Sequence, residues 1–119
     1  MIKSFAFTLY PVSNVAAARS FYEGKLGLRL THEFGGEWFE YDLGDTTFAI
    51  TTSEAAHPVP VRGCVAAFEV DNLEAELARL KGVGGAPVGK VTETPVCWFA
   101  SLRDPDGSEV LLHQRKAQG

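Results

Sequence analysis

Glu69, Glu109 and His113 fall on segments that read as strands. A histidine can pass a proton near neutral pH, and a nearby carboxylate can accept one or hold a cation. These three are the acid–base candidates, and the sequence assigns no residue a catalytic role outright. Arg103 stands just before Asp104-Pro105-Asp106-Gly107. Its planar fork of donors suits an anionic ligand group, or equally a surface ion pair. Trp38, Phe39, Tyr41, Trp98 and Phe99 could stack on a flat ligand, although aromatics serve as readily in cores and subunit contacts. Cys64 and Cys97 lack CxxC spacing and read as reduced, small hydrophobes rather than nucleophiles. His57 sits among prolines and reads as exposed. Gly82-Val83-Gly84-Gly85 follows a helical pattern, so it closes a helix, whereas the glycines of a phosphate loop precede one.

The elements that must carry these residues are legible from periodicity. Residues 4–10 alternate large and small side chains as a strand does, with Pro11 ending regular pairing. Ser13 and Asn14 are helix caps, and Val15, Ala18, Phe21, Tyr22 and Leu26 form a helical stripe that Gly27 closes. Strands are expected over 28–34, 37–43 and 46–52, with turns at Gly35-Gly36 and Gly44-Asp45. Residues 53–62 hold two prolines and no periodicity, which marks a linker. The order then restarts. A strand over 64–70 leads to a cap at Asp71-Asn72 and a helix with Leu73, Leu77 and Leu80 on its buried stripe. Glu74 and Glu76 stand in its first turn, where the helix dipole favours negative charge. Gly84-Gly85 ends that helix. Strands follow over 88–93, 96–103 and 109–113, the last two joined by Asp104-Pro105-Asp106-Gly107, and residues 115–119 are expected to fray.

The order β-α-β-β-β therefore occurs twice. An offset of 58 pairs Val12 with Val70, Asn14 with Asn72 and Ala17 with Ala75, and an offset of 62 pairs the closing turns. The expected fold is α+β: a single domain over 1–119, with module one at about 4–52, the linker at 53–62 and module two at about 63–114. The two modules should form a curved eight-stranded mixed sheet around a cavity, helices on the outer face. Such a hollow is the default binding site.

Composition narrows the functions. The 119 residues are 45% hydrophobic and 22% charged, as in ordinary globular chains. A net charge of −4 lacks the basic face that nucleic acid requires. No apolar run is long enough to span a bilayer and no secretion signal opens the chain, so a cytoplasmic location without membrane association is expected by default.

Three motifs occur in order: Tyr10-Pro11-Val12-Ser13-Asn14 with Phe21-Tyr22-Glu23 and Leu26-Gly27-Leu28; Phe68-Glu69-Val70-Asp71-Asn72-Leu73; and Asp104-Pro105-Asp106-Gly107 with Val110-Leu111-Leu112. Together they resemble the vicinal oxygen chelate superfamily of glyoxalases, bleomycin resistance proteins and dioxygenases, across about residues 4–114. The fold hosts many chemistries, so the resemblance speaks to architecture first.

Metal-dependent members of that superfamily carry ligands on the first and fourth strands of each module. The resemblance places those positions at Phe7, Ala49 (Ile50 with a slip of one), Val65 and Leu111. Divalent cations need nitrogen, oxygen or thiolate donors, and these side chains offer hydrocarbon. A slip of one brings in Ala6 or Thr8, Ala66, and Val110 or Leu112, which do not restore a ligand set. His32, His57 and His113 fall elsewhere. No metal and no other cofactor is therefore expected. By alternation Phe5 and Leu9 share a face with Phe7, Ala67 and Glu69 with Val65, and Glu109 and His113 with Leu111.

The expected function is metal-free binding of a small, partly apolar or aromatic molecule, sequestering an antibiotic or toxic metabolite as bleomycin resistance proteins do. The expected ligand contacts are Phe7, Trp38, Tyr41, Trp98, Phe99, Arg103, Leu111 and His113. The alternative is a glyoxalase-like lyase or isomerase, metal-independent and using His113, Glu69 or Glu109, or a dioxygenase-related enzyme. The resemblance also implies a homodimer, since exposed sheet edges need covering.

Overall fold

In the computed structural model, which describes residues 1, 3, 5–53, 65–85 and 87–117, each half of the chain builds the same unit. In the first, β1 (Thr8–Pro11) leads into helix α1 (Val15–Arg19), which continues as a π-helical turn over Ser20–Lys25. Then follow β2 (His32–Phe34), β3 (Trp38–Asp42) and β4 (Thr47–Thr51). The second has β5 (Ala66–Glu69), α2 (Leu73–Gly82), β6 (Val88–Glu93), β7 (Cys97–Arg103) and β8 (Glu109–Arg115). The fold is α+β, and the described residues form eight strands in two four-stranded mixed sheets ordered β1-β4-β3-β2 and β5-β8-β7-β6. In each sheet the first strand runs parallel to the last, and the other pairs are antiparallel. The chain divides into two compact units, Met1–Arg62 and Gly63–Gly119.

The repeat extends to register. Thr8 pairs with Phe48 and Ala66 with Val110, which are the same 58 and 62 offsets found in the letters. Both helices start on the same device: Asn14 Oδ1 accepts from the Ala17 N–H and Asn72 Oδ1 from the Ala75 N–H, each at 2.9 Å. Each bond satisfies one orphan donor of a first turn.

The helical stripe of the first unit buries Ala18, Phe21 and Tyr22. Tyr22 lies 5.0 Å from the Phe48 ring and 6.5 Å from Tyr10, so the helix seats in an aromatic core. Burying side chains of this size contributes about 1.5–3 kcal/mol each. The turn after Arg19 is wider than an α-turn, since the Leu26 N–H reaches the Phe21 carbonyl, and Gly27 closes it at φ 77°. The second core is aliphatic: Leu73 and Leu80 from α2, with Ala100, Leu102, Val110 and Leu112 from the sheet. Gln114 Oε1 accepts from the Leu73 N–H at 2.8 Å and ties α2 to β8.

Several boundaries differ from expectation. Pairing in β1 begins at Thr8 rather than residue 4, and it includes Pro11. The Val12 N–H donates to the Thr51 carbonyl, so the proline sits where the parallel ladder asks nothing of its nitrogen. β2 is three residues, not seven. Next to it, the Asp42 N–H donates to the Thr31 hydroxyl, and a side chain thus replaces the ladder carbonyl where pairing stops. β8 continues to Arg115 because Arg115 pairs with Cys97 and the Lys116 N–H bonds the Val96 carbonyl, so residues 115 and 116 are held, not frayed. Most of the expected linker, with His57, and Cys64 lie outside the described residues.

Candidate functional site

Each sheet has one face packed on its helix and one face without it, and cross-strand register assigns every side chain to one or the other. In the first unit two rows share the helix-free face: Leu9, Ala49, Glu40 and His32, then Pro11, Thr51, Trp38 and Phe34. Trp38 Nε1 donates to Glu40 Oε2 at 2.9 Å, and His32 Nδ1 lies 3.9 Å from Glu40 Oε1. Phe7 meets Trp38 edge to face at 5.5 Å, and His32 stacks on Phe34 at 6.3 Å. The result is a largely aromatic surface with one anchored carboxylate.

In the second unit the corresponding rows are Ala67, Leu111 and Ser101, then Glu69, His113, Phe99 and Thr92. Glu69 Oε1 lies 2.6 Å from His113 Nδ1, and Glu69 Oε2 accepts the Arg115 N–H at 2.7 Å. The Arg115 N–H first, and His113 second, hold the Glu69 carboxyl below the ordinary carboxylate range. Ser101 Oγ donates to Glu109 Oε2 at 2.5 Å, so the Glu109 carboxylate is engaged on its own strand pair. A hollow of about 410 Å³ opens where β7 begins and β8 ends, lined by the Pro95–Val96 corner with Cys97, His113, Arg115 and Lys116.

The sequence candidates divide between the faces. Phe7, Trp38, Phe99, Leu111, His113, Glu69 and Glu109 belong to the helix-free side; alternation groups Glu69 with Val65 and Glu109 and His113 with Leu111, and assigns no face to Trp38 or Phe99. Tyr41 is placed otherwise. It is fully buried on the helix-packed face, and its hydroxyl donates to Glu23 Oε2 at 2.8 Å. Burial first, and then this bond to a carboxylate, push its phenol well above the ordinary value. Trp98 also turns to the helix-packed side, pairing with Gln114, and Lys116 Nζ sits 4.7 Å over its ring. Arg103 is exposed and its guanidinium donates to the Gly107 backbone carbonyl at 3.1 Å, which engages it with its own turn. Cys97 is buried with Sγ 3.1 Å from Thr94 Oγ1. Glu40, His32, Arg115 and Lys116 were not expected at a site. A Trp-x-Glu on one strand was a readable signal for Glu40, whereas Arg115 and Lys116 were hidden by taking the C-terminus for a loose end.

The four positions where metal-dependent relatives place ligands can now be located. Ala49 and Leu111 lie on helix-free rows, and Phe7 and Val65 just precede β1 and β5. Their side chains carry no donor atom and do not fit a divalent cation. Among the described residues, no three of His, Cys, Asp and Glu converge as a metal-binding group would.

The family model of the Glyoxalase/Bleomycin resistance protein/Dioxygenase superfamily matches residues 4–112. The chain belongs to this superfamily. No curated protein matches it. Among solved structures it is similar to TnmS3, an antibiotic binding protein from Streptomyces sp. CB03234, at 28% identity and TM-score 0.78, over 98% of this chain and 99% of that one. A glyoxalase/bleomycin resistance protein from Streptomyces sp. CB03234 matches at 29% identity and TM-score 0.74, over 93% of this chain and 100% of that one. Lactoylglutathione lyase from Agrobacterium tumefaciens, at 19% identity and TM-score 0.73 over 96% and 95%, shares the fold alone. One fold thus carries proteins described as an antibiotic binding protein and as a lyase, so side chains at the sites must separate their functions.

Proposed function

We propose that this member of the superfamily binds a small, partly apolar or aromatic molecule on the helix-free sheet faces, without a divalent metal, and sequesters an antibiotic or toxic metabolite in the cytoplasm. The observation that carries the reading is the chemistry of those faces. Phe7, Trp38 and Phe34 supply apolar area on the first unit's face and Phe99 and Leu111 on the second's, and hydrocarbon side chains stand at the positions where the resemblance puts the metal ligands of metal-dependent members. Small-molecule sites are typically apolar surfaces with a few fixed polar groups, here Glu40 and His113. The similarity to an antibiotic binding protein over nearly the whole chain supports the same reading. The working form is a homodimer, because β2 and β6 end their sheets as edges that need covering; a monomer by light scattering at micromolar concentration defeats that part.

Fluorescence titration tests the binding. Bleomycin and a panel of planar aromatic antibiotics should include a compound that quenches Trp38 saturably at one site per chain. Phe7→Ala should weaken that compound about tenfold, the equivalent of losing one stacked aromatic contact. Absence of saturable binding across the panel overturns the proposal.

A further inference from the structure

His113 and Glu69 form more than a surface ion pair. The carboxylate is fixed at both oxygens, one by the Arg115 N–H at 2.7 Å and one by His113 Nδ1 at 2.6 Å. An ionised carboxylate can only accept, so the proton of the second bond resides on Nδ1. The neutral ring then carries its lone pair on Nε2. No partner for Nε2 occurs among the described residues, and the imidazole lines the 410 Å³ hollow. Arg115 and Lys116 line the same hollow and add positive charge, although Lys116 is also paired with Glu93. Phe99 pairs with His113 across β7 and β8 and shares its sheet face, although it does not line the hollow. An oriented base beside positive charge suits a particular kind of molecule.

We infer that the Glu69–His113 pair recognises a ligand bearing an acidic hydroxyl, a phenol or an enol, by accepting its proton at His113 Nε2. This rests on the proposed small-molecule binding and names the ligand class. The O–H bond breaks with its electron pair left on oxygen, and an N–H bond forms at Nε2. The imidazolium is then stabilised by Glu69 through Nδ1, and the oxyanion by the imidazolium and the charge of Arg115. Release reverses the transfer, so no other reactant is needed. His113 touches the ligand; Glu69 is a positioning residue that acts through it. Leu111, two residues away on the same face, has no donor atom and adds no metal ligand beside the pair.

The probe is 4-nitrophenol, whose ionised form absorbs in the visible, with 4-nitroanisole as the same molecule lacking the proton. Below the pH at which free 4-nitrophenol ionises, the full-length protein should bind it with the phenolate band present. His113→Gln should abolish the band and weaken 4-nitrophenol about tenfold, the scale of one charge-assisted hydrogen bond. Glu69→Gln should diminish the band and Glu69→Asp restore part of it, while 4-nitroanisole binds all four proteins alike. Circular dichroism checks that each variant folds; if His113→Gln does not, the band on the unaltered protein decides. Equal binding of phenol and ether with no phenolate band overturns the inference and leaves the binding proposal standing. Failure of both probes to bind overturns the site together with the inference.

Discussion

Glu23 is half-buried between α1 and β3, where Arg19 Nε donates to it at 2.6 Å and the Tyr41 hydroxyl at 2.8 Å. Arg19 also lies 5.0 Å over the Phe39 ring, so the group pins the first helix to its sheet. The bond from Arg19 first, and that from Tyr41 after it, hold the Glu23 carboxyl below its ordinary range. A depressed carboxylate stabilises the folded state above the unfolded pKa, and that contribution is lost as pH falls through the folded one. Glu23→Gln should therefore cost about 1 kcal/mol at pH 7, after allowing for partial solvent screening. In urea melts the gap from the unaltered protein should close as the solution is acidified below the carboxylate range. At this scale the sequence was legible in part. Alternation alone placed Phe7, Leu9, Glu69 and His113 on the right faces. It did not protect Tyr41, which was grouped with Trp38 for being aromatic although three positions along a strand reverse the face. Nor could it show that Glu69 and His113 meet, because that contact depends on β5 pairing with β8.

The Asp104–Gly107 turn shows how local chemistry shapes an element. Asp104 Oδ1 accepts the Asp106 N–H at 3.0 Å and the Ser108 N–H at 2.8 Å, and Gly107 takes φ 86°. Asp104 itself is buried. Asp104→Ala removes an acceptor from a buried N–H, and the expected cost is about 2 kcal/mol, read as a lower midpoint in thermal or urea unfolding. A change within error would mean that water satisfies those groups. Elements of this kind are readable because the signal is local: caps at Asn14 and Asn72, the turn at Gly35-Gly36, the helix stripe through Tyr22. The misplaced boundaries have non-local causes. β2 is short because Thr31, just before it, takes the N–H of Asp42 in β3, and β8 is long because Val96 and Cys97 hold its end. The π-helical turn over Ser20–Lys25 had no signature in the spacing of apolar residues, since one register of the stripe fits both windings.

At the scale of the whole molecule, the duplication was the strongest sequence signal. The offsets of 58 and 62 that align letters also align hydrogen-bonded strands, so both units expose equivalent rows on their helix-free faces. Duplication carries scaffold without carrying chemistry. The first unit's face gathers Phe7, Trp38 and Phe34 around Glu40, and the second's presents His113 on Glu69. Neither sets donor atoms at Phe7, Ala49, Val65 or Leu111. The direct measurement is calorimetric titration of chelator-stripped protein with Zn²⁺, Ni²⁺, Mn²⁺ and, anaerobically, Fe²⁺, with metal per chain counted after dialysis. The prediction is no stoichiometric uptake and unchanged antibiotic binding in chelator; tight binding of one cation per chain, with ligand affinity lost when it is removed, would contradict the account.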